Sequence, residues 1–333
     1  GGGGGGEKDH NTSLQVKVED VPIPKPDFSK DECLVRVIRA GVCNTDLEIM
    51  KGYMGFEGIL GHEFVGVVVE APPDKREQWL GKRVCADINV ACNNQGVLKC
   101  AVCVLNVTDN PDERWNRLRR NHCPNRTVMG ILGRSGCFAQ YLCLPCRNLH
   151  PVPDNVSDAD ACFAEPLGAA LRIVEQRLIV SQSKVAVLGD GKLGLLIAAA
   201  IGTTMGAAEH EKKELVLFGR HKSKLDMLKG LSIITPVDVS TEEGKARLES
   251  ASGTFDVAVD ATGSPDGFEQ ACRLLKPRGT CVLKSTCAAD KGINLAPIVI
   301  DELQIIGSRC GPIDEALKVM GTSKHRLPLA EMI

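Results

Sequence analysis

The sequence predicts a two-domain protein: a β-rich first half followed by a doubly wound α/β half. Three observations predict it. Short β-branched runs punctuated by Gly and Pro dominate the first half. From about residue 166 strands alternate with apolar helices, the pattern of a parallel sheet. Third, the apolar strand 184–188 runs straight into Gly189-Asp190-Gly191-Lys192-Leu193-Gly194, and an apolar helix follows. In this G-x-G-x-x-G, Gly189 allows a tight turn, Gly191 lets backbone approach a pyrophosphate, and Gly194 lets helix pack on strand. The helix N-terminus offers free N–H groups to phosphates.

In the first half, strands are expected at 14–19, 33–40, 64–70, 82–88 and 138–144. A Pro-rich connector lies at 22–26 and a polar loop at 72–78. Residues 89–126 are polar, cysteine-bearing and without periodicity, which predicts a protruding lobe. In the second half a linking helix is expected at 165–180, then strand 184–188 and helix 192–206. Strand 214–218, helical stretch 223–231, strand 255–260, helix 265–275 and strands 279–284 and 303–307 complete it. The domains are therefore placed at 7–165, after a low-complexity glycine run at 1–6, and at 166–311, with 312–333 as a separate tail.

Bulk properties exclude several classes. The 333 residues are 43% hydrophobic with a net charge of −2, which gives no reason to expect a nucleic-acid partner. The local basic group Arg114, Arg117, Arg119, Arg120 and Arg126 reads as a solvated loop. No apolar run approaches the roughly 20 residues of a membrane span. Fifteen cysteines in a chain this long, with no secretory signal in view, point to a reducing, cytoplasmic setting rather than a disulfide scaffold. Cys33, Cys85, Cys143, Cys272 and Cys281 sit in apolar contexts and read as small core residues.

Two groups suit a metal. Cys43, His62 and Glu165 supply a thiolate, an imidazole and a carboxylate, three ligands that would leave zinc one open position. Taken singly, each has a duller reading as core, hydrogen-bonded or helix-start residue. Cys92, Cys100, Cys103 and Cys123 form the second group. Its C-x-x-C at 100–103 suggests a closed, structural zinc site; the other reading is a redox pair or incidental thiols.

Cofactor choice is read at the end of strand 214–218. NAD-binding folds place an acidic residue there for the ribose hydroxyls. Here Gly219, Arg220 and His221 follow, then Lys222 and Lys224, and Arg suits a 2′-phosphate. NADP is preferred and NAD remains possible. Gly219→Asp is expected to move preference toward NAD.

With Gly41-Val42-Cys43-Asn44-Thr45-Asp46, Gly61-His62-Glu63, the cysteine lobe, Ala164-Glu165-Pro166-Leu167, the glycine loop, Asp260-Ala261-Thr262-Gly263 and Pro277-Arg278-Gly279, the chain resembles the zinc-dependent alcohol dehydrogenases of the medium-chain dehydrogenase/reductase superfamily. Glu165 resembles the polyol and threonine dehydrogenase branch. The resemblance runs from about Leu14 to the end and implies a GroES-like catalytic domain joined to a Rossmann domain. It implies catalytic zinc on Cys43, His62 and Glu165, with Glu63 as ligand or support, and Thr45 in a proton relay. It further implies structural zinc on Cys92, Cys100, Cys103 and Cys123. Cofactor contacts would come from Gly189, Gly191, Lys192, Leu193, Gly194, Gly219, Arg220, His221, Lys224, Thr262 and Gly263. Residues 52–56 would line the substrate entrance, and the strand 303–307 would pair copies into a homodimer or homotetramer.

Three departures stand out. Cys92 and Cys100 are separated by seven residues and Cys103 and Cys123 by nineteen, wider than in the family. The glycine run stands where the family has its first strand. The tail, expected to return toward the catalytic domain, ends at Ile333 where family members continue. The implied activity is hydride transfer between NADP and an alcohol, polyol or corresponding carbonyl. The competing readings are a non-catalytic NADP-binding protein of the same fold, crystallin-like or regulatory, and a zinc-free reductase.

Overall fold

The computed structural model describes residues 16–52, 55–92, 100, 103, 121–179, 183–206, 214–285, 292–322 and 327–332. The chain divides into two compact units, Gly1–Pro151 and Val152–Ile333.

The first unit is built on an antiparallel sheet. Strand β1 (Glu32–Gly41) pairs with β2 (Glu63–Glu70), and β3 (Arg83–Ala86), β7 (Tyr141–Pro145) and β8 (Leu149–Pro151) complete the order β7-β1-β2-β3-β8. Cys33, Leu34 and Val35 on β1 and Phe64, Val65 and Val68 on β2 are buried. Gly66 is required at their crossing, because a Cβ there would lie 2.6 Å from Val35 and 2.7 Å from the Arg36 carbonyl. A smaller sheet is made of β4 (Asn89–Val90), β5 (Thr127–Met129) and β6 (Gly133–Arg134).

Three expectations for this unit change. Residues 16–19, the described part of the expected strand 14–19, form no strand, and Val16 and Val18 are exposed. Alternation supplies a face but not a partner, and none of the described strands pairs with it. The 82–88 strand is Arg83–Ala86; Asp87 beyond it is buried, its N–H donating to the Asn148 carbonyl and its carboxylate 2.9 Å from His150 Nε2. The 138–144 strand starts only at Tyr141, since Phe138 N–H is drawn to the Leu60 carbonyl.

The second unit holds a six-stranded sheet whose neighbouring strands all run parallel. Its strands are β9 (Lys184–Leu188), β10 (Glu214–Gly219), β11 (Ile234–Asp238), β12 (Phe255–Asp260), β13 (Leu275–Leu283) and β14 (Gln304–Gly307), ordered β11-β10-β9-β12-β13-β14. The order reverses between β9 and β12, the place where such sheets bind ligands at their carboxyl ends. Val185, Ala186, Val187 and Leu188 are buried, as are all residues from Leu195 to Ile201 in the helix Lys192–Gly206. Covering both faces of the central strand explains the uninterrupted apolar run.

The expected helices 165–180 and 223–231 are shorter, at Ala164–Glu175 and Lys222–Asp226. The first ends just before Arg177, which adopts φ 56°. Strand β11 and the helix Glu242–Ser250 were not foreseen. Strand β11 contains Pro236 and lies at the edge of the sheet, where proline is tolerated. The tail packs inside this unit: the helix Ile313–Gly321 lies on Ala164–Glu175, and Leu327, Leu329 and Met332 join the core. Among the described residues no helix is long and apolar enough to cross a membrane.

Candidate active site and cofactor loop

In the first unit Gly41 at the end of β1 pairs with Glu63 at the start of β2. That register brings Cys43, just beyond β1, to His62, just before β2. The ligand atoms of Cys43, His62 and Glu63 all lie within 4.8 Å of one another. Glu63 lies over Gly41, where a Cβ would meet its Oε2 at 2.6 Å. Cys43 caps the helix Asn44–Met50, and its thiol lies 3.7 Å from Thr45 Oγ1.

Asp46 organises this group. Its carboxylate accepts from the Cys43 N–H at 2.9 Å and the Gly61 N–H at 3.2 Å, and stands 3.3 Å from His62 Nδ1. Both side chains of the Asp46–His62 pair are almost fully buried. A carboxylate this close to a histidine ring is the kind of neighbour that orients a metal-bound histidine. Gly61 adopts φ 95°, and a Cβ there would run into Phe138 at 2.4 Å, so His62 is held on a rigid crossing. Burial pushes the neighbouring Cys137 thiol far up, leaving it a protonated donor toward the Glu63 carbonyl. The donor set fits zinc.

Cys92, Cys100, Cys103 and Cys123 also converge, with Sγ–Sγ separations of 3.7 Å for 92–103, 3.7 Å for 100–123 and 3.5 Å for 92–123. A tetrahedral site with Zn–S bonds of about 2.3 Å has an edge of about 3.8 Å. The geometry therefore fits a closed zinc site, with Cys92 included despite its unusual spacing. Burial raises the thiols of Cys103 and Cys123, so four thiolates here call for a bound cation.

In the second unit the three glycines of the loop behave differently. Gly189 has φ 107° and would place a Cβ 2.6 Å from the Ala261 carbonyl; Gly194 would place one 2.0 Å from the Gly189 carbonyl. Gly191 has nothing within 4 Å of a Cβ. Two glycines close strand onto helix, and the third leaves open space where a diphosphate needs it. Beside the loop, Thr262 donates through N–H and hydroxyl to Asp260 Oδ1, and Gly263 N–H donates to Ser285 Oγ. Lys192 is exposed and Leu193 half-buried at the helix start.

Two known families match the chain. The alcohol dehydrogenase GroES-like domain covers residues 29–154 and the zinc-binding dehydrogenase domain covers 196–322. The chain belongs to the medium-chain dehydrogenase/reductase superfamily. It is 26% identical over 298 residues to L-threonine 3-dehydrogenase of Chromobacterium violaceum, covering 87% of this chain and 80% of that one. A zinc-binding dehydrogenase of Sinorhizobium meliloti, solved with NADP, matches at TM-score 0.74 and 27% identity over 93% of this chain and 86% of that one. An alcohol dehydrogenase of Thermus sp. ATN1 shares the fold at TM-score 0.76 and 23% identity, over 96% and 89%. As a medium-chain dehydrogenase/reductase of the zinc-binding type, the protein is an oxidoreductase with a GroES-like and a Rossmann domain.

Within this superfamily member, Glu165 opens the helix Ala164–Glu175 of the second unit and is half-buried. Tyr53 and Met54 of the 52–56 segment lie outside the described residues, as do Arg114, Arg117, Arg119 and Arg120 of the basic group. Arg220, His221 and Lys224 follow β10 as expected, but Gly219 is not an empty position. A Cβ there would meet the Asp190 side chain at 2.6–2.9 Å. Gly219→Asp therefore cannot simply add a ribose-binding carboxylate; it collides with one already present.

Three residues escaped the sequence reading. Asp46 was visible in principle, since an acidic residue three beyond a helix N-cap reaches back to it. Asp190 was hidden as a variable position of the glycine motif. Lys284, just beyond β13, donates to Ser308 Oγ at 3.1 Å and the Arg309 carbonyl at 2.6 Å. Burial pushes its amine down to about 8. No pattern in the sequence marks it.

Proposed function

We propose that the protein is a zinc-dependent dehydrogenase that moves hydride between NADP and an alcohol or polyol, or the corresponding carbonyl. The observation that carries this reading is the buried Asp46 carboxylate behind the Cys43, His62 and Glu63 trio. Cys43, His62 and Glu165 would hold the metal, with Glu63 as ligand or support. Bound zinc would act as a Lewis acid on the substrate oxygen while the nicotinamide supplies the hydride chemistry. Thr45, half-buried beside the Cys43 thiol, takes the substrate hydroxyl proton and passes it outward. Asp46 keeps the His62 ring in one tautomer and orientation through the cycle. Cys92, Cys100, Cys103 and Cys123 would hold a second, structural zinc.

Preference for NADP is supported by Arg220 and by Lys222 and Lys224 after β10. The threonine dehydrogenases among the relatives place L-threonine beside polyols in a substrate screen. Assembly into a homodimer or homotetramer is supported by the edge strand β14 and the exposed Val299, Ile300 and Ile305 beside it. The free cysteines suit a reducing, cytoplasmic setting.

Zinc per chain, measured in protein never exposed to chelator, tests the reading together with NADP-linked turnover. The expected result is two zincs, with turnover lost to a chelator and restored by zinc. Protein with no zinc overturns the reading in favour of a nucleotide-binding protein without catalysis.

A further inference from the structure

At the carboxyl end of β10 the backbone N–H groups of Arg220 and His221 converge on one oxygen. Both donate to Oδ2 of Asp190, at 2.8 Å and 2.6 Å, and His221 Nδ1 lies 3.0 Å from the same atom. Asp190 is the residue between the first two glycines of the cofactor loop, and only 7% exposed. Gly219 completes the arrangement, because any side chain at the strand end would occupy the Asp190 carboxylate's volume. Asp190 Oδ1 accepts no hydrogen bond among the described residues.

Two chemical facts meet here. In a sheet of this type the adenosine ribose lies at the carboxyl end of the second strand. A ribose 2′-hydroxyl needs an acceptor there, whereas a 2′-phosphate needs donors and no neighbouring anion. In this chain the two N–H groups and the imidazole are the natural donors for an anion, and a carboxylate from the loop already sits on them. Its second oxygen is left to accept.

We propose that Asp190 is the cofactor-selecting residue: its Oδ2 competes with a 2′-phosphate for the Arg220 and His221 donors, while its Oδ1 accepts from the ribose hydroxyl. This rests on the nucleotide reading above and refines it. Arg220, Lys222 and Lys224 draw the 2′-phosphate in, and Asp190 limits how far that preference goes. Removing its charge releases the donors and sharpens discrimination for the phosphorylated ribose. It also explains why a glycine, rather than an acidic residue, ends β10: the carboxylate is delivered from the adjacent loop.

The test is equilibrium binding by calorimetry of two nicotinamide-free fragments, adenosine 2′,5′-bisphosphate and 5′-AMP. It uses the full zinc-loaded chain and the variants Asp190→Asn and Asp190→Ser, both of which keep a polar acceptor for the two N–H groups. The ratio of the two dissociation constants is expected to move about tenfold or more toward the bisphosphate in both variants, since close like charges cost several kcal/mol. An unchanged ratio, or one that moves toward 5′-AMP, overturns the proposal. Variants that bind neither fragment while the parent binds both also overturn it, because Asp190 would then be only a structural support. A parent chain that binds neither fragment overturns the nucleotide reading itself, a separate result.

Discussion

In the cofactor loop the residues that matter are neighbours in sequence. Gly189, Gly191 and Gly194 stand within one turn, and their work is done by having no side chain. The metal trio is assembled the opposite way. Cys43 and His62 lie on different loops and meet because Gly41 pairs with Glu63 across β1 and β2, with Asp46 tying the two loops together. The first arrangement fails when an atom is added; the second fails when a connection is removed. Zinc and nucleotide sites in this chain should therefore respond to different classes of substitution.

The largest effect tests the loop. Gly194→Ala puts a methyl on the Gly189 carbonyl and should cost about 3 kcal/mol, visible as a lower unfolding midpoint, with nucleotide binding lost. Gly191→Ala meets nothing and should leave the midpoint in place while weakening nucleotide binding. Equal thermal loss in both variants would break the distinction between closing and phosphate-facing glycines. A smaller effect tests the trio. Asp46→Asn should weaken zinc at the proposed Cys43–His62 site about 10- to 100-fold, read by chelator competition, while leaving any zinc at the proposed cysteine site unaffected. Loss of both zincs together would show that Asp46 supports the whole unit rather than one site.

The smallest effect concerns Lys284. Burial lowers its amine to about 8, so between about pH 8 and pH 10.5 the unfolded chain keeps a proton that the folded chain has released. Stability contributed by this group therefore rises with pH across that window and is level below it, by at most about 1.4 kcal/mol per pH unit. Denaturant titrations of the parent and Lys284→Met across this range should differ in slope in that sense. Parallel profiles would mean that the amine is as solvated as an ordinary lysine.

These contrasts also explain what was legible beforehand. The glycine loop, the central buried strands and the ligand-type residues Cys43 and His62 are set by short-range pattern, so they could be read directly. Strand β11 is short and carries Pro236, so its pattern alone does not mark a strand; its place at the sheet edge is what admits the proline. The 14–19 strand was expected because its alternation is genuine, although none of the described strands pairs with it. Asp46, Asp190 and Lys284 owe their roles to which backbone groups lie beside them, and that information exists only after pairing. The Gly219 substitution shows the same limit: its outcome depends on Asp190, a residue remote in sequence.

The cysteine cluster has one more consequence, for engineering. Nineteen residues separate Cys103 from Cys123 in sequence, yet both meet the same small group of sulfurs. Because both thiols join one cluster, the number of residues between them sets only the size of a closed ring. Doubling such a ring costs only about 0.6 kcal/mol in closure entropy. With zinc on the proposed cluster, a reporter peptide or a second small domain inserted between these two residues would be held by the metal and freed by a chelator.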